Sequence, residues 1–450
     1  MKNLIKLFTI ILIACFVLLF TSCSLNPFNP QEYQQNNPRA EVLFNVVVPI
    51  GNIGQSGLYL EILDEVTGLG LNPTRYQMQP VDETNYSLRL PLTIGFAVKY
   101  RYVKGGNPPS IEYDSGKKQV RYRMIIVNSP MAINDWIAGW QDLPYYGNTG
   151  TLQGFIYNET NSEPVSNSMV IIAGMRTFTG ADGSYKIDNI PVGEQNLIAY
   201  HIDGLFLPFQ QRAIIAANAI TPANFGMKQA QMVNITYKIT PPSDNLAGAP
   251  IRLFGDLYYL GNTFNDSQGG ITSPGSNGRL LNYQDDGIYT LTLSLPSGHP
   301  LEYKYSLGDG FWNAEHSSDN NWKTRKIIIP TVDTVINDVI STWKNSNENA
   351  ITFKITVPSN TPQNNPVSLQ LNPFVWMEPL PMWFLGNNQW MYVLYSPAEF
   401  INNAKYRFVI NDQNGIKNDV ATADPTSSGF KIDTLSPEIN YTVQQWSSNK

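Results

Sequence analysis

One short segment brings together side chains that suit a polar ligand with an apolar face. The stretch LEYKYSLGDGFWNAE, residues 301–315, places Lys304 between two tyrosines, then a glycine-rich turn, Trp312 and Glu315. A flat aromatic ring can cover the C–H face of a sugar, while lysine, glutamate and asparagine hydrogen-bond its hydroxyl groups. The segment indicates a carbohydrate-binding platform. The alternatives are a tryptophan tucked under its own loop and a solvated Lys304 that pairs with an acid across the strand.

Catalytic chemistry has little support in the sequence. The chain has three histidines, His201, His299 and His316, and lacks His-x-His, HExxH, Gly-x-Ser-x-Gly and Walker motifs. No segment shows the alternating strand–helix pattern of the barrel that usually hosts glucan hydrolysis. We therefore expect a protein that is not an enzyme and that needs no metal and no cofactor.

Composition limits the classes of partner. Apolar residues make up 42% of the 450-residue chain and charged residues 15%, below the usual ~25%. The polar surface must then come from Asn, Gln, Ser, Thr and Tyr, as in many secreted all-β proteins. A net charge of −6 without a Lys/Arg cluster argues against nucleic acid as a partner.

The amino terminus is typical of an exported protein. Lys2 and Lys6 precede an apolar run over residues 7–20, which is too short to span a bilayer comfortably and fits the core of a signal peptide. The run leads into Phe-Thr-Ser-Cys, which ends at Cys23 and resembles the bacterial lipobox. This resemblance implies a signal peptide over residues 1–22. An ordinary signal peptide with an incidental cysteine is the alternative.

Cysteine usage fits a lipoprotein. Cys15 lies inside the signal core, so the mature chain would keep only Cys23, and a disulfide framework is excluded. The lipobox resemblance implies lipidation of Cys23 and attachment to the membrane on its extracytoplasmic side. Residues 23–40 are rich in Pro, Asn and Gln and read as a flexible tether.

A sequence repeat organises the rest of the chain. Short alternating runs such as VLFNVVVPI and ITFKITVPSN predict strands, and no stretch sustains a helical period for long. Three segments end in a shared signature, INDWIAGW to Trp140, INDVISTW to Trp343 and INYTVQQW to Trp446. We expect these tryptophans to be packing residues. The signature defines three sandwich-sized repeats, which span residues 41–142, 231–346 and 347–450.

A different unit lies between the first and second repeats. Residues 150–230 contain Gly154, Pro164-Val165, TGADGSY and IPVG. This pattern resembles the carboxypeptidase regulatory-like domain, a small transthyretin-like β-sandwich that usually acts as a non-catalytic spacer or adhesion module. The predicted fold is all-β, with tandem immunoglobulin-like or starch-binding-like β-sandwiches and one transthyretin-like sandwich inserted between the first and second.

The second repeat resembles the starch-binding domain of carbohydrate-binding module family 20. The resemblance rests on a Leu-Pro-x-Gly turn, an aromatic-Lys-aromatic strand, a Gly/Asp turn, a tryptophan, an acid and an arginine before the last strand. It implies that Lys304 is the strand lysine of an α-glucan site and Trp312 the second platform tryptophan. Glu315 is a displaced match to the family's acid, and Arg325 matches its arginine.

This repeat also departs from the family pattern. Phe264 stands in LGNTFND, where the family has its first platform tryptophan. Thr324 occupies the place of the asparagine before the arginine, which leaves Asn320 or Asn321 as stand-ins. We expect Phe264, Asn320 and Asn321 to complete the ligand-binding set.

The third repeat carries a tryptophan cluster in FVWMEPLPMWFLGNNQWMYV. Trp376, Trp383 and Trp390 lie within fifteen residues of one another. They are secondary ligand candidates that could form another sugar platform or an interface patch. Burial in the core is the alternative for at least one of them.

Together these patterns favour a cell-surface lipoprotein that binds α-glucan polysaccharide, chiefly through residues 231–346. Repeated weak modules on one tethered chain would gain avidity from a polymeric ligand. Two alternatives remain open at this point. One is a structural or adhesion protein that contacts a surface protein partner, and the other is an accessory subunit of a separately encoded glucan-degrading enzyme.

Overall fold

Alternating apolar side chains form strands throughout the part of the chain that the structure describes. In the first strand, Arg39–Val47, the side chains of Val42, Phe44 and Val46 are buried and those between them face outward. The helical elements with bounds in the described residues are two short 3-10 turns, Tyr258–Leu260 and Val420–Thr422. The prediction of an all-β chain is confirmed.

The structure is a computed structural model. It describes residues 37–49, 53, 56–63, 74–246, 248–262, 278–307, 313–319, 323–344, 349–362, 367–372, 376, 379–395, 404–412, 415–422, 429–432 and 437–447. Within them, no helix has the length and apolar character needed to cross a membrane. The predictions for Cys23, Phe264, Trp312, Asn320 and Asn321 lie outside the described residues.

The first repeat forms two sheets. Its strands are β1 (Arg39–Val47), β2 (Leu58–Leu63), β3 (Thr74–Gln77), β4 (Gln79–Pro80), β5 (Asn85–Thr93), β6 (Ala97–Lys104), β7 (Ser110–Ile111), β8 (Arg123–Ile126) and β9 (Met131–Trp136). One sheet has the order β4-β5-β1-β9, and the other has β3-β2-β6-β7 with β8 also paired to β6. Side chains of both sheets form one buried core, as in a β-sandwich.

The unit between the first and second repeats, here the interposed unit, also has two sheets. Its strands are β10 (Thr149–Asn158), β11 (Ser168–Ile172), β12 (Met175–Phe178), β13 (Ser184–Pro191), β14 (Gly193–His201), β15 (Phe209–Ile215), β16 (Ile220–Pro222) and β17 (Phe225–Met227). The sheet orders are β13-β10-β16, with β17 also paired to β10, and β12-β11-β14-β15. A separate buried core lies between them.

The second repeat follows the plan of the first. Its strands are β18 (Met232–Thr240), β19 (Arg252–Gly255), β20 (Arg279–Leu280), β21 (Asn282–Tyr283), β22 (Tyr289–Pro296), β23 (Pro300–Ser306), β24 (Arg325–Ile328) and β25 (Thr334–Val339). They form sheets of order β21-β22-β18-β25 and β20-β19-β23-β24.

The third repeat closes the chain. Its strands are β26 (Ile351–Thr356), β27 (Val367–Asn372), β28 (Leu380–Pro381), β29 (Trp383–Gly386), β30 (Gln389–Leu394), β31 (Lys405–Asp412), β32 (Gly415–Asn418), β33 (Phe430–Lys431) and β34 (Glu438–Thr442). The sheets are β29-β30-β26-β34 and β28-β27-β31-β32, with β33 also paired to β31.

All three repeats share one strand arrangement. In each, the first strand pairs antiparallel with a middle strand and parallel with the last strand, in the pairs β1–β9, β18–β25 and β26–β34. The sheet that contains this pair is called the first-strand sheet below. The other sheet carries the aromatic-basic-aromatic strand, which is β6, β23 or β31 according to the repeat.

Neighbouring units share buried side chains. Tyr122 and Met124 of the first repeat join Met169, Ile171 and Tyr200 of the interposed unit in one apolar cluster. The second repeat meets the third in the same way, because Trp383, Val393 and Tyr395 pack into its core.

Candidate functional site

A buried ion network occupies the centre of the second repeat. The Arg325 guanidinium lies 2.8 Å from Glu315 Oε2 and 2.7 Å from Asp338 Oδ1. The hydroxyl groups of Tyr303 and Tyr305 donate to Asp338 Oδ2 at 2.9 and 2.8 Å. All five side chains are buried. The expectation that Glu315 contacts a glycan is therefore wrong, because both of its carboxylate oxygens accept hydrogen bonds from Arg325 inside the sandwich.

Electrostatics explain why these charges can stay inside. Burial alone would lower the pKa of Arg325, but the adjoining Glu315 and Asp338 carboxylates raise it well above its ordinary value. Burial raises the pKa of the Tyr303 and Tyr305 hydroxyls, and Asp338 raises it further. The guanidinium stays charged and the phenols stay neutral donors, so each buried charge has a partner.

The first repeat contains the same network. Arg123 pairs with Glu112 at 2.8 Å and with Asp135 at 3.2 Å. The hydroxyls of Tyr100 and Tyr102 donate to Asp135 Oδ2. Asp135 and Asp338 both follow the signature asparagine, so the Ile-Asn-Asp sequence of these two repeats places a network acid on the last strand.

The third repeat fills the same space with aromatic rings. Phe430 lies opposite Tyr406, just as Arg325 lies opposite Tyr303, and Tyr441 takes the position of the network aspartate. The Phe430 and Tyr441 rings are 5.1 Å apart, and the Tyr441 hydroxyl donates to Asp419. Among the described residues, the interior of each repeat is therefore a packing feature.

Lys304 is enclosed as well. It lies on β23 opposite Phe254, on the side of the strand that faces away from Tyr303 and Tyr305, and both Lys304 and Phe254 are fully buried. A buried ammonium group cannot reach the hydroxyls of a soluble polysaccharide. The expectation that Lys304 is a ligand residue is therefore also wrong.

The corresponding position of the third repeat is accessible, and it forms the candidate site. Arg407 lies opposite Gln370 across β27 and β31, and its Nε donates to Gln370 Oε1 at 2.7 Å. The Arg407 Cζ atom lies 4.0 Å from the centroid of the Trp376 ring, within cation–π range. Trp376 and Arg407 are both half-buried.

A glycine allows the indole to lie close to the sheet. Gly429 has a φ of +106°, and a Cβ atom there would come within 2.7 Å of Trp376 Cη2. The same position therefore excludes larger residues for two reasons, backbone conformation and contact with the ring. We call Trp376, Arg407 and Gln370 the Trp376 site.

The chemistry of the Trp376 site is that of recognition. A partly exposed indole can lie against the C–H face of a sugar, and the half-buried Arg407 guanidinium beside it can hydrogen-bond ring hydroxyls, while the buried Gln370 amide positions Arg407. Arg407 is held in position by its bond to Gln370, so little side-chain freedom is lost on binding. Among the described residues, no group of three or more His, Cys, Asp or Glu side chains could hold a metal ion.

The other two tryptophans of the cluster have different surroundings. Trp390 is buried in the core of the third repeat. Trp383 is buried against the core of the second repeat and is part of the contact between the two. Of the three secondary candidates, only Trp376 lies where a polymeric ligand could reach its ring. The signature tryptophans pack as expected, with Trp140 and Trp343 buried and Trp446 against the core of the third repeat.

Two residues were missed in the sequence. Asn313 is buried, donates to the Val393 carbonyl and accepts from the Tyr395 amide, and so joins the second and third repeats. Trp136 is exposed on the last strand of the first repeat. Nothing in the sequence signals Asn313. Strand alternation does signal Trp136, because Ile133 and Asp135 face inward.

Comparison with known proteins finds partial similarities in sequence and in fold. No protein-family model matches it. It is 25% identical over 146 residues to an amylopullulanase of Thermoanaerobacterium thermosulfurigenes, which covers 31% of this chain and 7% of that protein. It is also 25% identical over 178 residues to an alpha-amylase of Niallia circulans, which covers 36% of this chain and 12% of the enzyme. A streptococcal ancillary pilin is similar at 8% identity and a TM-score of 0.26, over 67% of this chain and 99% of the pilin. The chain thus spans a small fraction of the length of either amylolytic relative, and the two family resemblances of its sequence stay predictions.

Proposed function

We propose that this chain is a non-catalytic, cell-surface protein that binds a polysaccharide through exposed aromatic residues, and that its ligand is a starch-type α-glucan. The observation that carries the proposal is the Trp376 site, in which Arg407 lies against a partly exposed indole and is held there by the buried Gln370 amide. The local similarity to an amylopullulanase and an alpha-amylase favours an α-glucan over other polysaccharides.

The surroundings of the histidines support a role without catalysis. His201, His299 and His316 are all buried, and burial lowers their pKa values to about 4, 3 and 4. A general base that operates near neutral pH needs a pKa close to 7 and access to substrate. These three side chains have neither property.

Export and lipidation at Cys23 complete the proposal. A lipid anchor would hold the chain at the membrane on its extracytoplasmic side, where a large polysaccharide is accessible. A single aromatic site binds a sugar weakly, so contacts from more than one repeat would be needed for retention on a long polymer.

Affinity electrophoresis of the purified chain tests the proposal. The gels contain amylopectin, pullulan or cellulose, and the samples are the unmodified chain, Trp376→Ala and Phe384→Ala. Phe384 is the matched control, because it is 49% exposed and lies on the first-strand sheet of the same repeat. We expect the two α-glucans to retard the unmodified chain and Phe384→Ala. For Trp376→Ala, the retardation relative to a gel without polysaccharide should be about tenfold smaller.

Two results would overturn the proposal. Equal migration of the folded chain with and without every polysaccharide would contradict glycan binding and favour the adhesion alternative. Equal retardation of Trp376→Ala and Phe384→Ala would leave glycan binding intact but remove the Trp376 site. Circular dichroism of each variant establishes that a lost interaction is not a lost fold.

A further inference from the structure

A second aromatic surface lies on the first repeat, in the first-strand sheet. Trp136 is 50% exposed there, whereas Trp140, four residues later, is 1% exposed. An indole is a large apolar group, and leaving half of it in water forgoes much of the free energy that its burial would supply. An exposed ring of this kind often marks a binding surface.

The strand geometry fixes the direction of this ring. Asp135 faces inward to the ion network, so Trp136 must face outward, because neighbouring residues of a strand point to opposite sides. The parallel register pairs Asn45 with Asn134 and Val47 with Trp136. Trp136 therefore lies beside Asn134 on the outer surface of the sheet.

The apolar Val47 is paired with Trp136, and the outward side chains next to these two are short and polar. Asn45 Nδ2 donates to Asn134 Oδ1 at 2.9 Å, which holds the two amides together on the outer face. Ser87 is paired with Asn45, and Asn85 is paired with Val47. Amides and hydroxyls next to a flat ring match the hydroxyl rim and C–H face of a neutral sugar.

We propose that Trp136, Asn134, Asn45 and Ser87 form a second glycan-binding surface, which takes neutral sugar rings of a polysaccharide. This inference rests on the proposed function and extends it. The new surface lies in a different repeat and on a different sheet from the Trp376 site. Trp136 supplies the platform, and the paired asparagines orient the sugar hydroxyls.

The third repeat has a recess at the corresponding place. Trp136 and Thr442 each lie two residues after the signature asparagine, Asn134 or Asn440. A groove with a volume of about 250 Å³ opens beside Thr442, and its lining includes the polar Thr356, Gln389 and Asn440, the cation Lys354 and the apolar Ile355 and Leu385. The same part of the first-strand sheet thus presents amides and hydroxyls in both repeats, whereas an exposed tryptophan lies there in the first repeat and Trp390 of the third is buried.

Quantitative affinity electrophoresis in amylopectin gels tests this surface on the full chain. The samples are the unmodified chain, Trp136→Ala, Asn134→Ala and the control Phe155→Ala. Phe155 is 49% exposed on a strand of the interposed unit, so its loss removes a similar exposed ring. We expect the apparent Kd to rise about fivefold for Trp136→Ala, less for Asn134→Ala, and not at all for Phe155→Ala.

Chemical protection supplies a measurement that needs no variant. N-bromosuccinimide oxidises accessible indoles, and peptide mass spectrometry reports the fraction of Trp136 that is modified. We expect saturating maltoheptaose to slow oxidation of Trp136 at least threefold while an equal concentration of cellohexaose leaves it unchanged.

The outcomes separate the two proposals. If amylopectin retards the unmodified chain and Trp136→Ala equally, and maltoheptaose does not protect Trp136, this surface binds no glycan, while the proposed function stands. If the unmodified chain is not retarded by any polysaccharide, the proposed function fails and this inference fails with it.

Discussion

At the scale of residues, the repeats stabilise the same interior with two different chemistries. The first and second repeats bury an arginine between two carboxylates, and the third packs the partly buried rings of Phe430 and Tyr441 against each other. Charges buried together can be replaced by well-packed apolar groups without loss of stability, but removal of one partner leaves a charge unpaired. The third repeat is a natural example of a partial replacement, because it keeps the buried carboxylate of Asp419, which accepts a hydrogen bond from the Tyr441 hydroxyl.

This difference predicts the behaviour of Arg325. Arg325→Phe should lower the free energy of unfolding of the second repeat by about 3–5 kcal/mol, because Glu315 and Asp338 lose their counterion. Adding Asp338→Tyr, which copies the third repeat, should recover at least half of the loss. Urea unfolding followed by tryptophan fluorescence measures both variants.

An exposed ion pair provides the control for Arg325. Arg212 and Glu194 are 2.8 Å apart and largely exposed, so Arg212→Ala should cost less than about 1 kcal/mol. Equal losses for Arg325→Phe and the Phe/Tyr double variant would show that the aromatic arrangement cannot substitute for the ions in this repeat.

At the scale of elements, strand alternation predicts which side of a strand each residue occupies, but not what covers that side. The alternation of β23 separates Tyr303 and Tyr305 from Lys304 correctly, yet an outward-facing residue can still be enclosed by other parts of the chain. The all-β fold was therefore predictable from local patterns. The burial of Lys304 and Glu315 was not, because it depends on contacts between distant residues.

The interposed unit offers an element-scale test at Gly154. Strand β10 pairs with β16 up to Gln153 and with β17 from Ile156, so Gly154 lies where one partner gives way to the next. A Cβ atom at Gly154 would lie 2.0 Å from the Ala223 carbonyl oxygen. Gly154→Ala should destabilise this sheet by about 1–3 kcal/mol.

Hydrogen exchange of the β10 and β16 amides measures that effect locally. Gln153→Ala is the control, because the Gln153 side chain is exposed and its loss should change stability by less than about 0.5 kcal/mol. Unchanged exchange in Gly154→Ala would mean that β16 can move aside at little cost.

At the scale of the whole molecule, buried polar groups connect the units as well as apolar ones. The Tyr200 hydroxyl of the interposed unit lies 3.1 Å from His299 Nε2 of the second repeat, and both side chains are buried. Asn313 connects the second and third repeats in a comparable way. The sequence patterns shared by the three repeats contain no information about these contacts between units.

The junction at His299 predicts a dependence of stability on pH. Burial lowers the pKa of His299 to about 3 from the ordinary 6.5. Below pH 6.5 the unfolded chain therefore binds a proton that the folded chain does not, and stability falls as pH falls, until about pH 3. Between pH 7 and pH 5 this histidine should account for a loss of about 2 kcal/mol.

His299→Gln isolates this contribution. Glutamine can still hydrogen-bond Tyr200 but does not titrate, so the stability of the variant should fall by about 2 kcal/mol less than that of the unmodified chain between pH 7 and pH 5. Urea unfolding at the two pH values measures the difference. Parallel losses would mean that His299 accepts a proton in the folded chain as readily as in the unfolded one.

The parallel pairing of first and last strands has a mechanical consequence. Because β1 and β9 run side by side in the same direction, the chain enters the first repeat at one end of this strand pair and leaves at the other. The pairs β18–β25 and β26–β34 repeat this layout. A pull along the chain would load each ladder in shear, so that its backbone hydrogen bonds resist together and do not open one after another. Such repeats would hold under tension applied along the chain, because every hydrogen bond of the ladder carries part of the load.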